Sequence, residues 1–161
     1  LFNKVPENLL PHVTEIVKPF IEKSGVPVYG IFQKDMLLEA VTVRYLGEVL
    51  NGKVLCCEDK LSEFVENCSI GAMDVDSALS YFRRTSNKAV ITGAHRTDIQ
   101  LVSMETSTKG IIHTGGLHTS DVVIGKAQSK GIPVISVEPD TFTTFTTFTT
   151  VDRIERIMGH T

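Results

Sequence analysis

Between Gly93 and His118 the chain gathers side chains able to handle a charged ligand. A His95-Arg96 pair is followed by Asp98, and Thr114-Gly115-Gly116 lies between His113 and His118. Arg96 offers a planar, permanent cation suited to two-point binding of an anion. Gly115 and Gly116 would let the backbone come close to such a group. A third polar segment, Pro139 to Thr144, adds the hydroxyls of Thr141, Thr143 and Thr144. Each segment follows an apolar, strand-like run, and helix N-termini beyond such runs present unpaired N–H groups to phosphate or carboxylate. The candidate ligand-binding set is therefore His95, Arg96, Asp98, Thr114, Gly115, Gly116, Thr141, Thr143 and Thr144. The same residues also read as turns and caps. Thr97 or His95 could cap a helix with Asp98 in its first turn, and for Thr97 and Asp98 that is the preferred reading.

Other chemistries are less well supported. Ser103 falls inside a helical pattern, Ser120 reads as a helix cap, and no G-x-S-x-G elbow occurs, so no nucleophilic triad emerges. His95, His113 and His118 could meet a metal with Asp98 or Glu138, yet no H-x-x-x-H helix or cysteine hook supports them. Metal binding ranks well below anion binding, and no cofactor is expected. The chain holds neither G-x-x-x-x-G-K-[ST] nor G-x-G-x-x-G, so no common nucleotide fingerprint is present.

Composition narrows the field. The chain has 161 residues, 42% hydrophobic and 22% charged, which is globular composition with room for a real core. A net charge of −3 gives no basic field for nucleic acid or an anionic membrane. With no Trp, a base-stacking platform is also poorly supported. Cys56, Cys57 and Cys68 fit no disulfide framework and read as buried, reduced thiols of a cytoplasmic protein. No apolar run is long enough to span a bilayer. The chain opens on "LFNKVPENLL", apolar and without a Met, from which we expect a fragment whose true N-terminus lies upstream.

The elements that must position these residues alternate in type. Leu1 to Val5 and Val26 to Phe32 read as strands around a helix over Asn8 to Lys23, which Pro19 should kink. Thr42 to Leu50 reads as a helix ended by Asn51-Gly52, and Lys53 to Cys57 as a strand. Leu61 to Ala72 has no clean period, with strand favoured in its second half. Asp74 or Asp76 should cap a helix reaching Arg83, with Val75, Ala78, Leu79 and Phe82 inward. "KAVITG", "GIIHTGG" and "IPVISVEP" are strands, followed by helices over about Thr97 to Glu105, Ser120 to Lys130, and "VDRIERIM" with Val151, Ile154 and Ile157 in register. Strands alternating with helices of this length imply an α/β fold: an open, mostly parallel sheet with helices on both faces. Ligands in such sheets bind beyond the carboxyl ends of strands, near a switch in strand order. "TFTTFTTFTT" (Thr141 to Thr150) reads either as a hydroxyl-lined loop over that edge or as a low-complexity insertion.

From Thr42 onward, "GAM" before Asp74, "VITGAHRTDIQ", "HTGG", "GIPVISVEPDTFTT" and "VDRIERIM" resemble the DRTGG domain family in order and spacing. The Thr-Gly-Gly half of its signature stands intact at Thr114 to Gly116, and the Asp-Arg half is read at His95-Arg96. His95 stands where the family usually has Asp, replacing a fixed acceptor with a titratable ring. The second and third Phe-Thr-Thr copies also depart from the family pattern. Residues 1–36 resemble the end of a dethiobiotin-synthetase-like P-loop domain, as in the N-terminal half of long phosphate acetyltransferases, with Asn3-Lys4 at its base-reading end. The expected division is 1–36 for that remnant and 37–161 for the DRTGG domain.

The resemblance implies a non-catalytic regulatory or assembly domain. Such a domain would form a homodimer and respond to a small anionic metabolite or adenine nucleotide. The alternative it leaves open is a part of a phosphate acetyltransferase-like or P-loop ATP-dependent enzyme whose active site lies outside this chain.

Overall fold

Four consecutive strands pair side by side in parallel, and their carboxyl ends carry the candidate residues. The computed structural model describes residues 1–33 and 40–158, with side chains through residue 150. The chain divides into two compact units, Leu1–Leu38 and Glu39–Thr161.

In the first unit, β1 (Phe2–Val5) pairs in parallel with β2 (Ile31–Gln33). Between them a 3-10 turn (Glu7–Leu9) leads through α1 (Leu10–His12) and a π turn (Val13–Val17) into α2 (Lys18–Lys23). Pro19 stands at the start of α2, where its missing N–H costs no bond within that segment, and the widened π turn precedes it. The helix is thus interrupted where Pro19 led us to expect. The strand is shorter than Val26 to Phe32. Gly25 turns the chain at φ +82°, and Pro27 has no N–H to give a ladder, so pairing begins only at Ile31. The polar residues Lys34 and Asp35, expected to bound it, lie outside the described residues, as does the expected boundary between 36 and 37.

The second unit opens with β3 (Val41–Thr42), antiparallel to β5 (Phe64–Val65), and α3 (Val43–Val49). Thr42 caps α3, its hydroxyl accepting from the Tyr45 amide at 3.2 Å. The main sheet comprises β4 (Lys53–Cys56), β6 (Asn67–Ile70), β7 (Lys88–Gly93), β8 (Thr108–Thr114) and β9 (Val134–Ser136). Its order is β4-β9-β8-β7-β6, with only the β4–β9 pair antiparallel. The connections are α4 (Val75–Arg84), α5 (Thr97–Ser103) and α6 (Asp121–Lys130), and α7 (Thr141–Met158) follows β9. The fold is the open, mostly parallel α/β sheet expected.

Alternation along the strands splits the core between both faces. Ala89, Ile91, Ile112 and Ile135 pack with Val43 and Leu46 of α3 and Phe148 of α7. The other face sets Val90 against Phe82 and Ile99, and Ile111 and Val134 against Val123 and Ala127. Asp74 is the cap of α4, accepting from the Ser77 amide at 3.0 Å. Val75, however, is 37% exposed and does not face inward, whereas Ala78 and Phe82, one and two turns further on, are fully buried.

The Phe-Thr-Thr repeat is helix, not loop. Asp140 starts α7 by accepting from the Thr143 amide at 3.0 Å and from its hydroxyl at 2.9 Å. A three-residue repeat falls short of the 3.6-residue turn, so each copy rotates about 60° around the axis. Phe142 is accordingly 76% exposed, Phe145 half-buried and Phe148 only 8% exposed. The threonines stay compatible with helix because Thr146, Thr147 and Thr149 donate back to the carbonyls of Phe142, Thr143 and Phe145. Phe142→Ala should therefore change stability by no more than about 0.5 kcal/mol in urea unfolding. A larger loss would mean that Phe142 is covered in solution.

Candidate functional site

The carboxyl ends of β6 to β9 lie in a row, and hydrogen bonds join each strand-end segment to the next. The Thr92 hydroxyl donates to Gly71 O at 2.8 Å, linking β7 to the segment after β6. The Ala94 amide donates to Thr114 O at 3.3 Å, linking the segments after β7 and β8. Gly115 and Gly116 donate their amides to Pro139 O at 2.8 Å and Val137 O at 3.0 Å. The Thr114 and Thr141 hydroxyls share a 2.7 Å bond across the same gap. The structure thus brings the three expected segments to one edge. The parallel strands, however, follow the chain in order across the sheet, so no reversal of strand order opens a crevice among them.

Arg96 occupies the N-cap position of α5, and no side chain caps that helix, so neither His95 nor Thr97 takes the capping role. The guanidinium folds back on Asp98, with Nε and Nη2 each 3.1 Å from a carboxylate oxygen, and Nη2 also donates to Met73 O at 2.8 Å. This fork holds the Asp98 carboxyl below the usual carboxylate range and raises the Arg96 pKa. Arg96 side-chain atoms remain 27% exposed, so an anion would reach the cation by displacing a partner it already has. His95 is exposed, and its ring lies against Gly93, where an added Cβ would come within 2.6 Å of it.

The Thr-Gly-Gly turn is a backbone device. Gly115 and Gly116 take φ +89° and +61°, and their amides are already committed to the segment after β9. A Cβ on Gly116 would lie 2.4 Å from the Glu138 carboxylate. Thr114 is buried and spent on Thr141, Thr143 is exposed and spent on Asp140, and Thr144 is buried with no hydrogen-bond partner for its hydroxyl. Thr141 to Thr144 form the first turn of α7 and not a loop, because Asp140 captures the amide of Thr143. Ser120 stands at the N-cap of α6 without a side-chain capping bond.

Gln100 escaped the sequence reading altogether, and His113 and Asp140 were placed in the right segments without their partners. Gln100 is fully buried, and its Nε2 donates to Gly93 O at 2.9 Å and Ala94 O at 3.3 Å, clamping the segment after β7. His113 is fully buried, with Nδ1 2.7 Å from the Thr119 hydroxyl and no partner for Nε2. Burial pushes its pKa down to about 4. Asp140 carried a readable signal, an acid directly before a helix, whereas the His113–Thr119 and Gln100 bonds depend on tertiary folding. Among the described residues no cluster of three or more metal-ligating side chains forms, and no helix is long and apolar enough to cross a membrane. Cys56, Cys57 and Cys68 form no disulfide, as expected, but only Cys56 is buried, Cys57 and Cys68 being half-buried.

The model of the DRTGG domain matches residues 46–157. Among curated proteins the chain is similar to the uncharacterized protein YtoI of Bacillus subtilis (strain 168), at 27% identity over 106 residues. That match covers 66% of this chain and 23% of YtoI, so the chain spans under a quarter of that relative. Among solved structures it is similar to the CBS and DRTGG domains of the regulatory region of Clostridium perfringens pyrophosphatase, in complex with the activator diadenosine tetraphosphate. There the TM-score is 0.58 at 21% identity, covering 78% of this chain and 53% of the other, a likeness of fold.

Proposed function

This chain belongs to the DRTGG domain family, and we propose that it is a non-catalytic regulatory or assembly domain responding to a small anionic metabolite or adenine nucleotide. The observation that carries this reading is the linked carboxyl edge. Arg96, Thr114, Gly115, Gly116 and Thr141 hold neighbouring segments to one another. An anion that drew Arg96 away from Asp98 and Met73 O would loosen the segment after β6 from that after β7. Binding would then be felt along the row, which suits a domain that passes on a signal. The solved regulatory region of similar fold, whose activator is a dinucleotide, supports the ligand class. Self-association as a homodimer and a cytoplasmic setting belong to the same reading.

Thermal unfolding against inorganic phosphate, acetyl phosphate, coenzyme A and adenine nucleotides tests it. A ligand at about a hundred times its dissociation constant adds roughly 2.7 kcal/mol, which should raise the midpoint by roughly 5 to 10 °C. Arg96→Ala should abolish that shift while leaving the unliganded midpoint within about 2 °C, since its ion pair is solvent-exposed. A shift that survives Arg96→Ala would refute the site, and no shift from any compound would refute the ligand class.

A second reading rests on the first unit. Parallel β1 and β2 joined through helical turns are the repeating piece of a larger parallel sheet. On that reading residues 1–36 end a P-loop domain, residues 37–161 are the appended DRTGG domain, and the whole protein is an ATP-dependent or phosphate acetyltransferase-like enzyme. Turnover by a longer chain but not by this one would favour it.

A further inference from the structure

A cavity of about 250 Å³ lies beside the start of α6, on the sheet face opposite α3 and α7. Leu55 of β4, Leu117 of the segment after β8, and Ile124 of α6 give it apolar walls. His118, Thr119, Asp121 and Ser136 give it polar ones. None of the residues spent on the carboxyl-edge network lines it. Leu117 borders this space while 56% exposed, a large apolar side chain without cover.

The polar wall is built from behind. Thr119 is buried, and its hydroxyl is held at 2.7 Å by Nδ1 of the fully buried His113. His113 is in register with Ser136 of the neighbouring strand, so both lie on one face of the sheet. A wholly buried imidazole with one nitrogen unpartnered is expensive to keep, and here it fixes the hydroxyl of a cavity-lining residue.

Size and charge select the occupant. Pockets for whole drug-sized ligands run from about 300 to 1,000 Å³, so this one fits a ring system and not a dinucleotide. A helix N-terminus would ordinarily favour phosphate, but the Asp121 carboxylate in the first turn of α6 opposes an anion. None of the salt bridges among the described residues uses that carboxylate. It is therefore available to an N–H donor, while the hydroxyls of Thr119 and Ser136 can give or accept.

We propose that this cleft binds a flat heteroaromatic ring bearing an exocyclic amine, of the nucleobase class, between Leu117 and Ile124 with its amine on Asp121. The assignment does not depend on the anion response proposed for Arg96, and the two can fail separately.

The test titrates the full 161-residue chain with adenosine, cytidine, inosine, uridine and inorganic phosphate, read by calorimetry and by ligand-observed NMR. Adenosine and cytidine should saturate, while inosine and uridine, with a carbonyl in place of the amine, should bind at least about tenfold more weakly. Asp121→Ala and Leu117→Ala should each weaken adenosine by about tenfold, with folding checked by circular dichroism, and Arg96→Ala should leave it unchanged. Equal binding of adenosine and inosine, no saturation by any nucleoside at millimolar concentration, or affinity untouched in both cleft variants would overturn the proposal. So would loss of adenosine in Arg96→Ala alone. The phosphate titration reports on the Arg96 reading independently.

Discussion

Lowering the pH from 6.5 to 4 is expected to remove up to about 3 kcal/mol of stability through His113 alone. The ring is fully buried, and desolvation holds its pKa near 4 against an ordinary value of 6.5. Between those values the unfolded chain binds a proton that the folded chain does not. Stability contributed by the neutral ring is complete above pH 6.5 and is lost as pH falls through the folded pKa. Urea unfolding at half-unit pH steps would show the slope, and His113→Gln, which can still bond the Thr119 hydroxyl, should flatten it. An unchanged slope in the variant would mean that other groups carry the acid sensitivity. The carboxylates Glu63, Asp74, Asp98, Glu105 and Asp140 are also held below their usual range, and their contribution is lost as pH falls from their ordinary values of about 4, so it is the comparison with His113→Gln that separates them from the histidine.

That histidine marks where sequence reading stops. The strands around "KAVITG" and "GIIHTGG" were legible because runs apolar on both faces belong in a covered parallel sheet, and β7 and β8 form as expected. The convergence of three polar segments followed from that topology. What each polar group does at the edge did not. Arg96 reads as a free anion receptor until the fold places Met73 O within 2.8 Å of it. Gly115 and Gly116 read as room for a ligand, yet their amides answer strand-end carbonyls more than twenty residues away. Composition also left Thr141 to Thr150 undecided between a hydroxyl-lined loop and a low-complexity insertion, where one carboxylate, Asp140, starts a helix. Local patterns encode elements, while partners brought from distant chain positions decide whether a polar side chain is spent or spare.

The Thr-Gly-Gly turn lets this distinction be measured. Two successive residues at φ +89° and +61° occupy backbone space that costs an L-residue roughly 1–2 kcal/mol each. Gly115→Ala/Gly116→Ala should therefore lose about 2–4 kcal/mol, read from the urea midpoint at unchanged slope. No atom lies within 4 Å of a Cβ at Gly115, so its cost is purely conformational. At Gly116 the added Cβ meets the end of Glu138, an exposed and flexible side chain that can swing away. Backbone conformation, and not crowding, should then dominate at both positions. Gly116→Asn discriminates, because Asn tolerates the left-handed region, and should cost clearly less than Gly116→Val, whose branched Cβ resists it. Were Asn and Val equally damaging, crowding against Glu138 would be the cause, and Glu138→Ala should rescue both. If the double alanine variant kept full stability, the amide bonds to Pro139 O and Val137 O would not need this geometry. The turn would then be free to open toward a ligand. The predicted loss instead makes the two glycines a hinge pin between the segments after β8 and β9, fixed before any ligand arrives.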